Sequence, residues 1–179
     1  MKKVLVISTS LRKNSNSQAL AEEFARGARE AGNQVEEVSL AGKKLAFCTG
    51  CLACQKTGAC VIRDDGPELA RKVGEAEVLA FATPVYYYEM SGQMKTLLDR
   101  CNPLFGTDYR FREVYLLATA ADGEESAMDG AEQGLQGWVD CFEEARLAGV
   151  LRGVGLTGPG EAKADAALLR RAYEMGREI

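Results

Sequence analysis

Apolar positions along the chain fall into short unbroken runs that alternate with helical stripes. Val4-Leu5-Val6-Ile7 is a run of four between polar neighbours, the pattern of a strand buried on both faces. A polar stretch follows from Ser8 to Ser17. From about Ser17 to Ala31, Leu20, Phe24, Ala28 and Ala31 mark one face of a helix that Gly32 closes. Val35, Val38 and Leu40 predict a second strand, and residues 41–63 form a cysteine-bearing loop. Asp64-Asp65-Gly66-Pro67 reads as a helix start, with acidic capping residues and proline in the first turn, and that helix runs to about Glu75. Val78–Ala82 is a third strand, stopped before Thr83-Pro84. Gly92–Cys101 is helical, with Met94, Leu97 and Leu98 on one side. Val114–Ala118 is a fourth strand. After the polar loop Thr119–Ser126, a long helix is predicted to about Ala145. Gly149–Leu156 is a fifth strand and Ala164–Ile179 a last helix. Five strands alternating with five helices predict a five-stranded parallel sheet covered on both faces. Right-handed crossovers make it a doubly wound three-layer α/β sandwich.

Composition narrows the possibilities further. The length of 179 residues corresponds to about one domain, so residues 1–179 are expected to form a single unit. Hydrophobic content of 46% and charged content of 27% are those of a globular chain. No apolar run reaches the length of a spanning helix, and Val4–Ile7 is too short for a secretory signal. The expectation is a soluble cytoplasmic protein that does not enter membranes. With 22 basic against 26 acidic residues, no nucleic-acid footprint is expected. The chain has no histidine, which removes Ser-His-Asp and Cys-His catalytic units and histidine-ligated metals. Redox chemistry would have to come mainly from a cofactor.

In an open α/β sheet, ligands bind beyond the carboxyl ends of the strands, where the loop Ser8–Ser17 lies. That loop holds four serines, one threonine, two asparagines, Arg12 and Lys13, and it opens a helix. Free N–H groups and the positive end of the helix dipole suit a phosphate there. A solvated loop with a serine cap would have the same composition. The P-loop and Gly-x-Gly-x-x-Gly patterns are both missing.

Ile7-Ser8-Thr9-Ser10-Leu11-Arg12-Lys13-Asn14-Ser15-Asn16-Ser17 resembles the phosphate loop of the NADPH-dependent FMN reductase family, which is flavodoxin-like and includes the iron–sulfur flavoproteins as one branch. Thr9 stands where that family usually has glycine, and Leu11 where it has proline. The resemblance implies that Ser10, Arg12, Asn16 and Ser17 hold the FMN phosphate. A second block, Thr83-Pro84-Val85-Tyr86-Tyr87-Tyr88 leading to Lys95 and Leu98-Asp99-Arg100, is similar to the family's Pro-Val-Tyr segment. Three adjacent tyrosines cannot all enter a core, but in a loop they can line an aromatic, partly wet pocket or a subunit interface. Pro84, Val85, Tyr86 and Tyr87 are thereby expected at the flavin ring and ribityl chain. Thr119 and Ala120, leaving the fourth strand, are expected on the other side of the ring. The resemblance spans about residues 3–155 and implies a homodimer or a dimer of dimers.

Of six cysteines, Cys48, Cys51, Cys54 and Cys60 fall in a C-x2-C-x2-C-x5-C run of thirteen residues. Such crowding in an intracellular chain favours metal or redox chemistry over disulfides. The spacing suits iron–sulfur ligation better than zinc, whose structural sites usually divide into two separated pairs. Cys48–Asp65 resembles the cluster-binding segment of the iron–sulfur flavoproteins, so these four form a conditional [4Fe-4S] site. The alternative is a plain loop of a flavin reductase. Cys101, Cys141 and Trp138 receive no functional role. The leading reading is an enzyme in which FMN takes hydride from NAD(P)H and passes electrons to a flavin, a quinone or another small acceptor. Its rival is an electron carrier with FMN and a cluster, reduced by a ferredoxin-like partner. A zinc-stabilised binding module is the third possibility.

Overall fold

The computed structural model describes every residue, Met1–Ile179. Its strands are β1 (Lys3–Ser8), β2 (Gln34–Ser39), β3 (Val78–Tyr86), β4 (Glu89–Met90), β5 (Glu113–Thr119) and β6 (Arg146–Gly153). Its helices are α1 (Asn16–Glu30), α2 (Ala53–Thr57), α3 (Gly66–Glu75), α4 (Gly92–Arg100), α5 (Asp129–Val139) and α6 (Ala166–Arg177). The main sheet is parallel, in the order β2-β1-β3-β5-β6, with β4 folded back antiparallel on the end of β3. That order, with helices on both faces, is the flavodoxin-like arrangement.

Alternation along the buried strands divides the core in two. Leu5, Ile7, Leu79, Phe81, Val114 and Leu116 face α3, α4 and α5. Val4, Val6, Val78, Ala80, Tyr115 and Leu117 face α1 and α6. The close approach of α1 and α6 requires glycine: a Cβ at Gly27 would lie 2.0 Å from the Tyr173 carbonyl oxygen, and one at Gly176 would lie 2.0 Å from that of Phe24. Trp138 belongs to an aromatic cluster, stacked on Phe111 at 5.5 Å and edge-on to Phe81 at 6.0 Å.

The structure corrects several expected boundaries. The helix expected to reach Ala145 ends at Val139. Phe142 turns inward onto Trp138, Phe111 and Tyr109, and the Tyr109 hydroxyl accepts the Glu144 N–H, so tertiary packing ends the helix early. Strand β6 therefore starts at Arg146, three residues before the expected Gly149, and stops at Gly153, leaving 154–160 as a loop. Residues 161–164 form a 3-10 turn ahead of α6, whose Asp165 cap accepts the Leu168 N–H. The cysteine loop contains the short helix α2, so there are six helices rather than five. Finally, β3 runs past Ala82 to Tyr86: its pairing with β1 ends at Ala82, so Pro84 lies beyond that ladder, while β5 continues alongside to Pro84 opposite Thr119 and β4 pairs with Val85 and Tyr86.

Candidate functional site

The carboxyl ends of β1, β3, β5 and β6 meet at a cleft of about 200 Å³. Its wall includes Ser10, Arg12, Ser15 and Asn16 from the β1–α1 loop, Pro84–Tyr86 from β3, Thr119 and Ala121 after β5, and Leu156 and Thr157 after β6. Ser15 is the N-cap of α1: its Oγ accepts the Gln18 N–H at 3.3 Å. The N–H groups of Asn16 and Ser17, at the first two helical positions, have no partner inside the helix. Arg12 is exposed and donates to the Thr157 carbonyl at 3.2 Å, which brings its guanidinium to the same rim.

The expected phosphate residues divide into two groups. Ser10 and Arg12 stand on the cleft with their side chains. Asn16 does so too, but its amide is already in use. Its Nδ2 donates to the carbonyls of Leu156 (3.3 Å) and Gly158 (2.8 Å), and its Oδ1 accepts the Ala162 N–H at 3.1 Å. The side chain thus clasps the 156–162 loop to the start of α1, leaving the backbone N–H as its contribution to an anion. Ser17 is fully buried, and its hydroxyl pairs with that of Ser15 at 3.1 Å behind the cleft. Its side chain supports Ser15 instead of reaching the cavity.

Thr9, which stands where the resembled family usually has glycine, has a structural role. Its hydroxyl donates to the Ala82 carbonyl and pairs with Ser91, both at 3.0 Å. Ser91 in turn caps α4 by accepting the Met94 N–H, and its own N–H donates to Thr83 Oγ1. The phosphate loop, the end of β3 and the start of α4 are therefore one hydrogen-bonded unit.

Pro84, Val85 and Tyr86 line the cleft, but Tyr87 does not: it is 99% exposed. Tyr87 and Tyr88 have φ of 51° and 65° and form the tight turn between β3 and β4. Two successive positive φ values suit Asn-Gly, and tyrosines there are strained. Thr119 is on the wall, whereas Ala120 is tucked behind it and donates its N–H to Gly153. Ala121 takes the expected place of Ala120. Ser15, Leu156 and Thr157 were not anticipated. Ser15 could have been found as a cap candidate four residues before a buried position. The signal for the third wall was the turn-rich stretch Gly155-Leu156-Thr157-Gly158-Pro159-Gly160, at the carboxyl end of a strand.

The chemistry of this cleft fits the phosphate end of FMN. Hydroxyls, free helical N–H groups and one guanidinium converge on one rim, with apolar and aromatic edges beside them.

The four clustered cysteines lie on a separate loop against the C-terminal turn of α4. Cys48 and Cys51 are exposed, Cys54 is buried and Cys60 is half-buried. Hydrogen bonds from the Ala53 backbone and then from Thr49 hold the Cys51 thiol below its ordinary range. Cys54 Sγ accepts the Asn102 side-chain N–H at 3.1 Å. The donor set has the chemistry of an iron–sulfur site, yet no three of these sulfurs come together with the geometry of a metal site. The loop as arranged here does not fit a cluster. Cys101 is buried in the core, where burial pushes its thiol up to about 12, and Cys141 is exposed. No helix is long and apolar enough to cross a membrane.

Residues 2–143 match the family described as NADPH-dependent FMN reductase. An iron-sulfur flavoprotein of Archaeoglobus fulgidus is 40% identical over 101 residues, covering 56% of this chain and 46% of that protein. An iron-sulfur flavoprotein of Methanocaldococcus jannaschii is 40% identical over 102 residues, covering 57% of this chain and 53% of that protein. The chain thus spans about half the length of these two relatives. An azoreductase from Bacillus anthracis superposes with a TM-score of 0.74 over the whole of both chains at 17% identity, a likeness of fold.

Proposed function

Because the chain belongs to the NADPH-dependent FMN reductase family, we propose that it is an FMN-dependent oxidoreductase acting as one flavin-binding unit. It would take hydride from NAD(P)H and pass electrons to a flavin, a quinone or another small acceptor. The observation that carries this reading is the convergence of Ser10, Arg12, Ser15 and the start of α1 on the cleft bordered by Pro84–Tyr86 and Thr119. When bound, the flavin supplies the two-electron chemistry, accepting from the nicotinamide and giving to the acceptor. The chain's own residues bind and orient. Ser10, Ser15 and the N–H groups of Asn16 and Ser17 receive the phosphate, and Arg12 adds a positive charge steadied by Thr157. Pro84–Tyr86 border the ribityl and ring side, with Thr119 and Ala121 opposite. Steady-state oxidation of NADH and of NADPH by the FMN-loaded protein, with a quinone as acceptor, tests the reading. Turnover that needs FMN supports it, and none with either nucleotide overturns it.

The spacing of the four cysteines and the names of the relatives, set against sulfurs that do not converge, leave a second reading to be tested. In it the protein is an electron carrier that holds FMN and a [4Fe-4S] cluster and is reduced by a ferredoxin-like partner. Turnover with reduced ferredoxin but not with NAD(P)H would support this reading over the first. The assembly we expect is a homodimer or a dimer of dimers, which light scattering of the purified protein would measure.

A further inference from the structure

Both sides of the flavin cleft hang on three buried hydroxyls. Thr9, Thr83 and Ser91 are fully enclosed, and none of them lines the cleft. Their hydrogens can be placed by elimination. Thr9 Oγ1 donates to the Ala82 carbonyl at 3.0 Å, and the Thr9 N–H donates to the same oxygen at 2.9 Å. With its hydrogen committed there, Thr9 Oγ1 is the acceptor in its 3.0 Å pair with Ser91, and the Ser91 hydroxyl is the donor. Ser91 Oγ still accepts the Met94 N–H that caps α4. Thr83 Oγ1 accepts the Ser91 N–H and donates to the Pro84 carbonyl, both at 3.0 Å. Every hydroxyl hydrogen in the set has one direction and one acceptor, the condition for a stiff buried network.

The network joins parts of the cleft that come from different strands. Thr9 precedes Ser10, on the phosphate side. Thr83 precedes Pro84, on the ribityl and ring side, and Pro84 lies in register with Thr119 on the next wall. The β1–β3 ladder stops at Ser8 and Ala82. Past that point Thr9 carries the connection, by its N–H and by its hydroxyl. Glycine, usual here in the resembled family, could make the N–H bond to Ala82 but neither of the hydroxyl bonds. We propose that Thr9 is a positioning residue for the flavin, acting through Ser91 and Thr83 to hold Ser10 and Pro84 at a fixed separation. The proposal rests on the FMN reading above and adds what lets the cleft tell FMN from riboflavin. FMN is gripped at two places, its phosphate and its ring side. Two grips on one ligand reinforce each other only as far as the protein holds them at the ligand's own spacing. Riboflavin uses the ring side alone, so its affinity does not depend on that spacing. Loss of the Thr9 hydroxyl therefore weakens FMN and spares riboflavin. Thr9→Val also leaves the Ser91 hydroxyl hydrogen buried without its acceptor, a cost that a shift of the loop relieves.

The test titrates the flavin-free protein with FMN and with riboflavin, followed by flavin fluorescence, for the parent and for Thr9→Val, Thr9→Ser and Thr9→Gly. The quantity read is the ratio of the two dissociation constants, riboflavin over FMN. Thr9→Val should cut that ratio by about three- to tenfold, the worth of one hydrogen bond, by weakening FMN. Thr9→Ser keeps the hydroxyl and should keep the ratio. Thr9→Gly removes the hydroxyl in a second way, should Thr9→Val fold poorly, and should cut the ratio to a similar extent. A merely structural Thr9 would lower the thermal midpoint of the flavin-free protein and move both affinities together, leaving the ratio where it was. An unchanged ratio in either hydroxyl-free variant that folds overturns the proposal, as does a ratio lost equally in Thr9→Ser. A parent that binds FMN no better than riboflavin refutes the phosphate reading itself, which keeps the two failures apart.

Discussion

Replacing Asn16 with alanine separates a structural role from a ligand-binding one. The amide of Asn16 makes three bonds to the 156–162 loop, and its acceptor meets a buried N–H on Ala162. Leaving that N–H unpaired costs about 1–3 kcal/mol, and the carbonyls of Leu156 and Gly158, only partly buried, add about 0.5–1 kcal/mol each. Alanine is the better helix former by about 0.6 kcal/mol, a small offset. The net loss is about 2–4 kcal/mol, or a midpoint lowered by roughly 5–10 °C for a chain of this size. Thermal unfolding of the flavin-free protein measures it directly. The flavin-free state is the informative one, because a residue reserved for phosphate would leave it unchanged. If Asn16→Ala leaves the flavin-free midpoint where it was and only weakens FMN binding, the clasp is wrong and the amide belongs to the ligand.

Arg12→Ala should weaken FMN binding by about 1.5–3 kcal/mol, roughly ten- to a hundredfold, and leave riboflavin binding unchanged, since it removes one charged donor to phosphate; flavin fluorescence titration reads both. The double change Tyr87→Asn, Tyr88→Gly puts favoured turn residues at φ 51° and 65° and should stabilise the chain by about 1–2 kcal/mol, seen as a raised urea midpoint. An unchanged or lowered midpoint would show that the exposed tyrosines are held by contacts elsewhere. Hydrogen bonds from Arg100 hold Asp64 well below the ordinary carboxylate range, with burial opposing. Its stabilisation is complete above the unfolded value of about 4 and is lost as pH falls through the lower folded value, because the unfolded chain takes up the proton first. Stability should therefore fall in acid below about pH 4. Asp64→Asn should flatten that fall while lowering stability at neutral pH, and parallel acid profiles for parent and variant would refute the pairing.

The strands were readable because Val4–Ile7, Val78–Ala82 and Val114–Ala118 are unbroken apolar runs, and a run of that length between polar loops has few alternatives. The end of α5 was not, because Phe142 leaves the helix to join an aromatic cluster whose members lie far apart in sequence. At the site, composition located the β1–α1 loop, but composition does not say which polar atoms are already bonded. Asn16 and Ser17 are small polar residues like Ser10 and Ser15, yet they turn to the 156–162 loop and to the protein interior. Thr9 shows the reverse. A departure from the resembled pattern takes a structural place, its hydroxyl bonding the end of β3 and the cap of α4. The cysteine spacing marked the loop, while the buried Arg100–Asp64 ion pair at its end depends on a contact 36 residues apart.

In the proposed function, the start of α1 holds a flavin by its phosphate. Calorimetric titration of the flavin-free protein with FMN and with riboflavin, in one buffer free of phosphate, tests it most directly. The two ligands share the ring and ribityl chain and differ only in the group that would meet Ser10, Arg12, Ser15 and the free N–H groups. FMN should bind tighter than riboflavin by at least about tenfold, with the difference shrinking when inorganic phosphate is added as a competitor. Equal affinities for FMN and riboflavin, unaffected by added phosphate, would contradict it.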